Sequence, residues 1–279
     1  MTTYALLDYD GYICKAYYAG LKENKQEKVL SDLVDSAVKR VKEYFNTDDV
    51  KIIKVISGHT FKKDIYPSYK LRRKKDEGLG EFRNLIKQKQ AKELTCVKNL
   101  EADDVLILLQ KHLNTINVNN VVFSDDKDLR YYAYRYCKLN EENEIQENDI
   151  SELINIYAQM LAGDSEDDIK GIPRMGMKTA IKYLESNMVI DKDPLETVIK
   201  CYHDKNIDID SCLRDLLLVI PTGSIYTEDE SEELSINVST LVLKNDFSDN
   251  LDLAVSRMIE SQIKGLNKIV KGVYIETSN

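Results

Sequence analysis

Histidine, proline, cysteine and long apolar runs are all scarce in this 279-residue chain. No stretch of about 18 apolar residues is present, which argues against a membrane-spanning helix. The N-terminus runs straight into Tyr4-Ala5-Leu6-Leu7-Asp8 without the basic leader and apolar core of a signal peptide. The expectation is a soluble protein of the cytoplasm, the host's if a phage encodes it, with no membrane contact. Three histidines with no pair at short spacing disfavour a His-based zinc site. Cys14, Cys96, Cys137, Cys201 and Cys212 are odd in number and scattered, so they read as reduced thiols rather than as a disulfide framework or a zinc site. Four prolines, no repeat and no low-complexity tract leave no obvious linker between the halves.

What is abundant is charge. The formal net charge is -9, which by itself disfavours a partner as acidic as DNA. The average hides an asymmetry. Between Lys62 and Lys98 stand twelve Lys or Arg against five acidic residues, a surplus of seven positive charges that leaves sixteen negative ones on the remainder. The acidic run at 227–233 reads as a solvated loop or helix face.

Hydrophobic residues make up 43% of the chain, enough for a core of this size. Residues 4–7, 50–56 and 121–123 are short apolar, partly β-branched runs of the kind that form buried parallel strands. Between the first two, Leu30, Leu33, Val34, Ala37, Val38, Val41 and Phe45 share one face of a 3.6-residue period, predicting an amphipathic helix. Val105, Leu106, Leu108, Leu109 and Leu113 predict another helix before the third strand. Strand, helix, strand, helix, strand implies an α/β parallel sheet over residues 1–150. From 151 to 279 helical patterns dominate, at 151–161, 177–186, 194–202, 213–220 and 253–263.

Carboxylates fall where such a sheet gathers its ligands, at the carboxyl ends of strands. Asp8 ends the first strand, Asp126 and Asp128 follow the third, and Glu101, Asp103 and Asp104 open the helix before it. Asp164 and Asp167 lie in Gly163-Asp164-Ser165-Glu166-Asp167-Asp168, between two expected helices. Any one of these groups would be unremarkable as surface acid or helix cap. Drawn into one cleft they would repel unless cations sat among them. Oxygen-only donors select Mg²⁺ or Mn²⁺, and two such ions about 4 Å apart can activate water and stabilise the leaving oxygen of a phosphodiester. With the basic segment added, nucleic acid is the expected substrate.

These motifs resemble the 5′→3′ exonuclease and flap endonuclease family, over about residues 4–180. Glu101-Ala102-Asp103-Asp104 matches its EADD element. Ser124-Asp125-Asp126-Lys127-Asp128-Leu129 is similar to SGDKDL with Asp125 for glycine, and 163–180 resembles its GDSSDNIPGVPGVGPKTA stretch. The resemblance implies a PIN-like nuclease core and makes Asp8, Glu101, Asp103, Asp104, Asp126, Asp128, Asp164 and Asp167 ligands of Mg²⁺, with Mn²⁺ able to substitute, or carboxylates supporting them. It implies a basic helical arch at about 60–98, because 61–73 is similar to FRxxxxxxYKxxR. Lys70 and Arg73 would then act on the scissile phosphate, with Tyr69, Arg72 and Lys15 also on DNA. It further implies a helix–three-turn–helix at about 151–186, holding duplex through Gly176 and Lys178 and, in relatives, a K⁺ on backbone carbonyls. The implied activity is two-metal hydrolysis of DNA, with RNA–DNA hybrids as a further partner, near 5′ ends and flaps in replication or repair, by a monomer.

Besides Asp125, three further positions depart from the pattern. Ser57 stands where the family carries an aspartate after its second strand, Tyr9 replaces the glycine after Asp8, and Arg174 replaces a hairpin glycine. Two other readings follow from the residues. Asp8-Tyr9-Asp10-Gly11 with Gly163-Asp164 to Asp168 fits a haloacid-dehalogenase-like Mg²⁺ phosphatase, with Asp8 as nucleophile and Asp10 as general acid. Ser57 also fits a DNA-binding relative that has lost catalysis.

Overall fold

The computed structural model describes residues 2–97, 100–115, 117–139, 144–147, 153–187 and 194–207, with 211, 214, 215, 218 and 219. These divide into two compact units. The first holds 2–59 and 74–147; the second holds 60–73 and the described residues from 153 to 219. The basic segment is therefore shared, through Arg73 by the second unit and from Lys74 by the first.

In chain order the elements are β1 (Thr3–Asp8), α1 (Tyr9–Gly20), α2 (Gln26–Phe45), β2 (Val50–Val55), a helical turn α3 (Lys62–Ile65), α4 (Glu77–Lys89), β3 (Leu94–Thr95) and α5 (Ala102–Thr115). They continue with β4 (Asn120–Phe123), a turn α6 (Leu129–Tyr132), β5 (Arg135–Cys137), β6 (Gln146–Glu147), α7 (Leu153–Ala162), α8 (Met177–Asn187) and α9 (Pro194–Asp204). The expected helices at 30–45, 102–113, 177–186 and 194–202 are present as α2, α5, α8 and α9, and residues 153–161 of the expected 151–161 helix lie in α7. The expected helix at 253–263 lies outside the described residues, as does half of 213–220.

The six strands of the first unit are ordered β3-β2-β1-β4-β5-β6, all parallel neighbours except β5 and β6. β1 is central because its run Ala5-Leu6-Leu7 has no polar side to show to water, and all three are fully buried. It pairs with β2 on one side, Asp8 opposite Val55, and with β4 on the other, Leu7 opposite Phe123. The order changes direction between β1 and β4, so their carboxyl ends form the crevice where open parallel sheets take ligands.

The helix α1 has no counterpart in the sequence reading, yet Tyr9, Tyr12, Ile13, Ala16 and Gly20 follow helical spacing and are its buried face. α2 buries Leu30, Val34, Ala37 and Val41 against the same core and ends at Asn46, whose left-handed φ of 50° stops it. Within the basic segment, α4 is capped by Asp76, which accepts from the Leu79 amide at 3.0 Å, and buries Phe82 and Ile86 in that core. Each full burial of such a side chain stabilises the unit by about 2 kcal/mol. In the second unit, α7, α8 and α9 enclose Ala158, Leu161, Ile172, Ala180, Leu184, Val198 and Tyr202. No helix among the described residues is long and apolar enough to cross a membrane.

Candidate active site

The crevice between β1 and β4 is organised around Asp8. Its carboxylate caps α1, accepting from the Gly11 amide at 3.3 Å, and a Cβ at Gly11 would stand 2.9 Å from Asp8 Oδ2, so a larger residue there would shift that carboxylate. On the β4 side the Ser124 hydroxyl donates to Asp8 Oδ2 at 2.6 Å. Ser124 Oγ in turn accepts the Asp126 amide at 2.9 Å, and Asp126 Oδ1 accepts the Asp128 amide at 2.8 Å. Asp8, Ser124, Asp126 and Asp128 are thus one hydrogen-bonded chain across the two strand ends. The Tyr136 hydroxyl from β5 fixes its middle by donating to the Ser124 carbonyl at 2.8 Å.

Electrostatically this arrangement is unfavourable to itself. Burial pushes the Asp8 carboxyl up to about 6; the Ser124 hydrogen bond opposes that, and the charges of Asp10 and Asp126 add to it. A carboxylate so placed gains from a nearby cation.

The EADD element lies at the opening of α5. Glu101 and Asp104 are buried, and the Glu101 amide donates to Asp104 Oδ2 at 3.2 Å, so Asp104 serves as the local cap of its own helix. Asp103 is half-buried beside them. Ser57 is tied to the same place: its hydroxyl accepts the Ala102 amide at 3.1 Å. Its own amide donates to Asp10 Oδ2 at 2.7 Å, while Arg83 of α4 donates to Asp10 Oδ1 at 2.7 Å and to the Ser57 carbonyl at 3.3 Å. Position 57 therefore holds together the first turn of α1, α4 and the opening of α5. With both oxygens bonded in this way, Asp10 is poorly placed as a general acid. Gly163-Asp164, moreover, follows the helix α7 rather than a strand, so the phosphatase reading fails on both motifs. Lys15 meets Asp125, the residue standing at the family's glycine, at 3.1 Å, and Asp125 also accepts the Leu139 amide at 3.0 Å.

The remaining expected residues lie in the second unit. Gly163 and Gly171 close a loop whose ends are bridged by Asp164 and Ile169, amide to carbonyl both ways at 2.9 and 2.8 Å. Asp164 is buried and accepts from Gln159 Nε2 at 3.1 Å and from the Glu166 amide at 2.8 Å. Asp167 faces the basic residues. Arg73 Nη2 donates to its Oδ1 at 2.5 Å, the Tyr69 hydroxyl to its Oδ2 at 3.3 Å, and Lys70 Nζ stands 3.8 Å from Oδ2. Arg72 pairs with Asp168, which also accepts the Arg72 amide at 3.1 Å and is held below the usual carboxylate range first by that bond. Gly176 and Lys178 are exposed at the start of α8, and a Cβ at Gly176 would meet nothing within 4 Å. Arg174 has the left-handed φ of 65° that its glycine counterpart would adopt freely.

The eight expected ligands are thus divided, six in the first unit and two in the second. Among the described residues no three of the acidic, histidine or cysteine side chains are drawn together closely enough to hold an ion. The donor chemistry of the first unit nevertheless suits a hard divalent cation, being oxygen only and including a carboxylate whose burial raises its pKa and whose ionised form a cation would favour. Ser124 and Arg83 went unmarked as site residues in the sequence, and Asp10 and Asp168 entered only through the phosphatase motifs. Ser124 was within reach, standing two residues before Asp126 at a strand end; the other three depend on contacts between distant segments.

Comparison with known proteins gives the same direction. The model of a family described as 5′-3′ exonuclease, N-terminal resolvase-like domain, matches residues 3–164. DNA polymerase I of Rhizobium leguminosarum is 26% identical over 204 residues, which cover 64% of this chain and 20% of the polymerase. The chain thus spans about a fifth of that relative. A 5′-3′ exonuclease of Mycoplasmopsis pulmonis is 26% identical over 216 residues, 70% of each chain. Among solved structures, zinc-bound T5 5′-exonuclease superposes with a TM-score of 0.55 at 14% identity, covering 93% of this chain and 99% of that one. The bacteriophage T5 flap endonuclease crystallised with DNA and metal ions gives 0.54 at 12%, over 96% and 99%. At such identity the likeness is one of fold.

Proposed function

Because this chain belongs to the 5′-3′ exonuclease family, we propose that it is a Mg²⁺-dependent nuclease hydrolysing DNA phosphodiesters near 5′ ends and flap junctions. The observation that carries the reading is the chain from Asp8 through Ser124 to Asp126 and Asp128, set at the ends of β1 and β4 within the matched segment. Asp8, Asp126, Asp128, Glu101, Asp103 and Asp104 would hold the metal. When bound, it would supply the Lewis acidity that activates water and stabilises the leaving oxygen.

The chain's own residues do the rest. Ser124 keeps Asp8 and Asp126 at a fixed spacing, so neither must reorganise as charge is brought in. Lys70 and Arg73 bind the phosphate and oppose its developing charge. The segment at about 60–98 acts as the basic arch, and that at about 151–186 acts as the helix–three-turn–helix. In that element the N-terminal end of α8, with Lys178 beside it, takes a duplex phosphate. Open space at Gly176 supports a close external approach there. K⁺ on carbonyls of the 163–176 loop, acceptance of RNA–DNA hybrids, a monomeric state and a role in replication or repair belong to the same reading.

The test is metal-dependent cleavage. A 5′-flapped duplex should be cut with Mg²⁺ and left intact in EDTA, and a small phosphomonoester should not be turned over. Asp126→Asn should reduce cleavage by about a hundredfold or more while DNA binding in EDTA persists. Wild-type cleavage by that variant would defeat the site assignment, and binding of DNA by the wild type without any cleavage would favour a catalytically lost relative.

A further inference from the structure

Asp167 sits at the centre of a cluster of cationic and hydroxyl side chains. A guanidinium, an ammonium and a phenol hydroxyl converge on this one carboxylate from Arg73, Lys70 and Tyr69. They come from one short segment, 69–73; the side chains of Asp167 and Lys70 are 13% and 15% exposed, while that of Arg73 is 53% exposed and reaches water. The backbone holds the two segments in register, with the Lys70 amide donating to the Asp167 carbonyl at 3.2 Å and the Arg72 amide to Asp168 at 3.1 Å. Two carboxylate oxygens presented to a guanidinium and an ammonium resemble two oxygens of a phosphodiester presented to the same pair.

We propose that the Asp167 carboxylate occupies the phosphate seat formed by Tyr69, Lys70 and Arg73, as an internal anion that a DNA phosphate must displace. This rests on the reading that Lys70 and Arg73 receive a phosphodiester. It gives Asp167 a role that needs no metal: it sets how strongly this seat binds phosphate. It also makes the seat selective, because a lone weakly held anion does not displace the carboxylate, whereas a phosphate anchored elsewhere on the protein by the same DNA does.

The experiment is binding of a fluorescent 5′-flapped duplex in EDTA at fixed salt, where no cleavage or metal ligation enters. Asp167→Asn, which keeps the shape and removes the charge, should bind about fivefold tighter than wild type, as expected for releasing partly exposed cations from one carboxylate. Asp167→Ser should do the same, which separates the effect from any folding defect of a single variant. Glu166→Gln removes an equal charge from the neighbouring exposed residue and should change binding less than about twofold. In an Arg73→Gln background the gain from Asp167→Asn should largely vanish. Wild-type or weaker binding by both Asp167 variants would overturn the proposal. Equal tightening by Glu166→Gln, or a gain that persists without Arg73, would overturn it as well. If the wild-type protein itself does not bind the duplex, the DNA reading falls and this inference with it; if it binds and the Asp167 variants bind no tighter, only this inference falls.

Discussion

At the scale of single residues the most consequential is Asp8, whose carboxyl ionises at about 6 instead of 3.8. Its folded-state value lies above its unfolded one, so ionised Asp8 costs stability at neutral pH, and the cost fades as pH falls from about 6 to about 4. In EDTA, Asp8→Asn should therefore be more stable than wild type at neutral pH, by about 1–3 kcal/mol, with the advantage lost by about pH 4. Urea unfolding of both proteins across that range measures it, and an advantage that grows on acidification contradicts the electrostatic account. Ser124→Ala removes the bond that restrains this shift and should lower wild-type stability by about 1 kcal/mol and cleavage along with it. Asp8 and Asp126 were legible in the sequence because a strand end and an acidic motif coincide. The position of Ser57 was legible as a departure, but not its use: it works through its hydroxyl on Ala102 and its amide on Asp10, two bonds that no spacing encodes.

Elements show a similar division. α2, α5, α8 and α9 could be read because one apolar stripe repeats along each. α1 escaped because tyrosines supply much of its buried face, although Asp8, whose side chain accepts the Gly11 amide, caps its start. The 163–171 loop was readable as acidic but not as closed. Its two glycines, at φ of 74° and 58°, lie back to back, and a Cβ on Gly171 would stand 2.3 Å from the Gly163 amide nitrogen. Gly171→Ala should thus destabilise the second unit by about 2 kcal/mol or more. Arg174→Gly, relieving a left-handed arginine, should be neutral or stabilising by up to about 1 kcal/mol. Denaturant unfolding ranks the two; a tolerated Gly171→Ala would mean that the loop opens without cost.

For the whole molecule the charge asymmetry is the feature that the sequence already showed, and the structure qualifies it. Part of the surplus between Lys62 and Lys98 is neutralised internally, by Asp167, Asp168, Asp10 and Glu27 on Arg73, Arg72, Arg83 and Lys89. Lys74 and Lys75 are exposed. Binding of DNA should weaken steeply with salt, with a log–log slope of about -4 if some four cations meet phosphates, and Lys74→Gln with Lys75→Gln should flatten it by about two. A slope near zero would mean that the basic segment does not touch DNA.

The sheet order has a further consequence, for how the chain reaches its fold. β1 is synthesised before either neighbour, yet it is the middle strand, and its pairing with β4 joins Leu7 to Phe123. Until that later strand leaves the ribosome, Ala5, Leu6 and Leu7 lie along an open apolar edge, ready to pair with another chain. A nascent chain stalled just before Asn120 should bind chaperones or aggregate, whereas one released after Cys137 has both sides of β1 covered. The seam between β1 and β4, at whose end Asp8 and Asp126 are joined through Ser124, is the one whose closing covers the last open side of β1, so that linkage forms in the same event that makes the nascent strand safe from its neighbours.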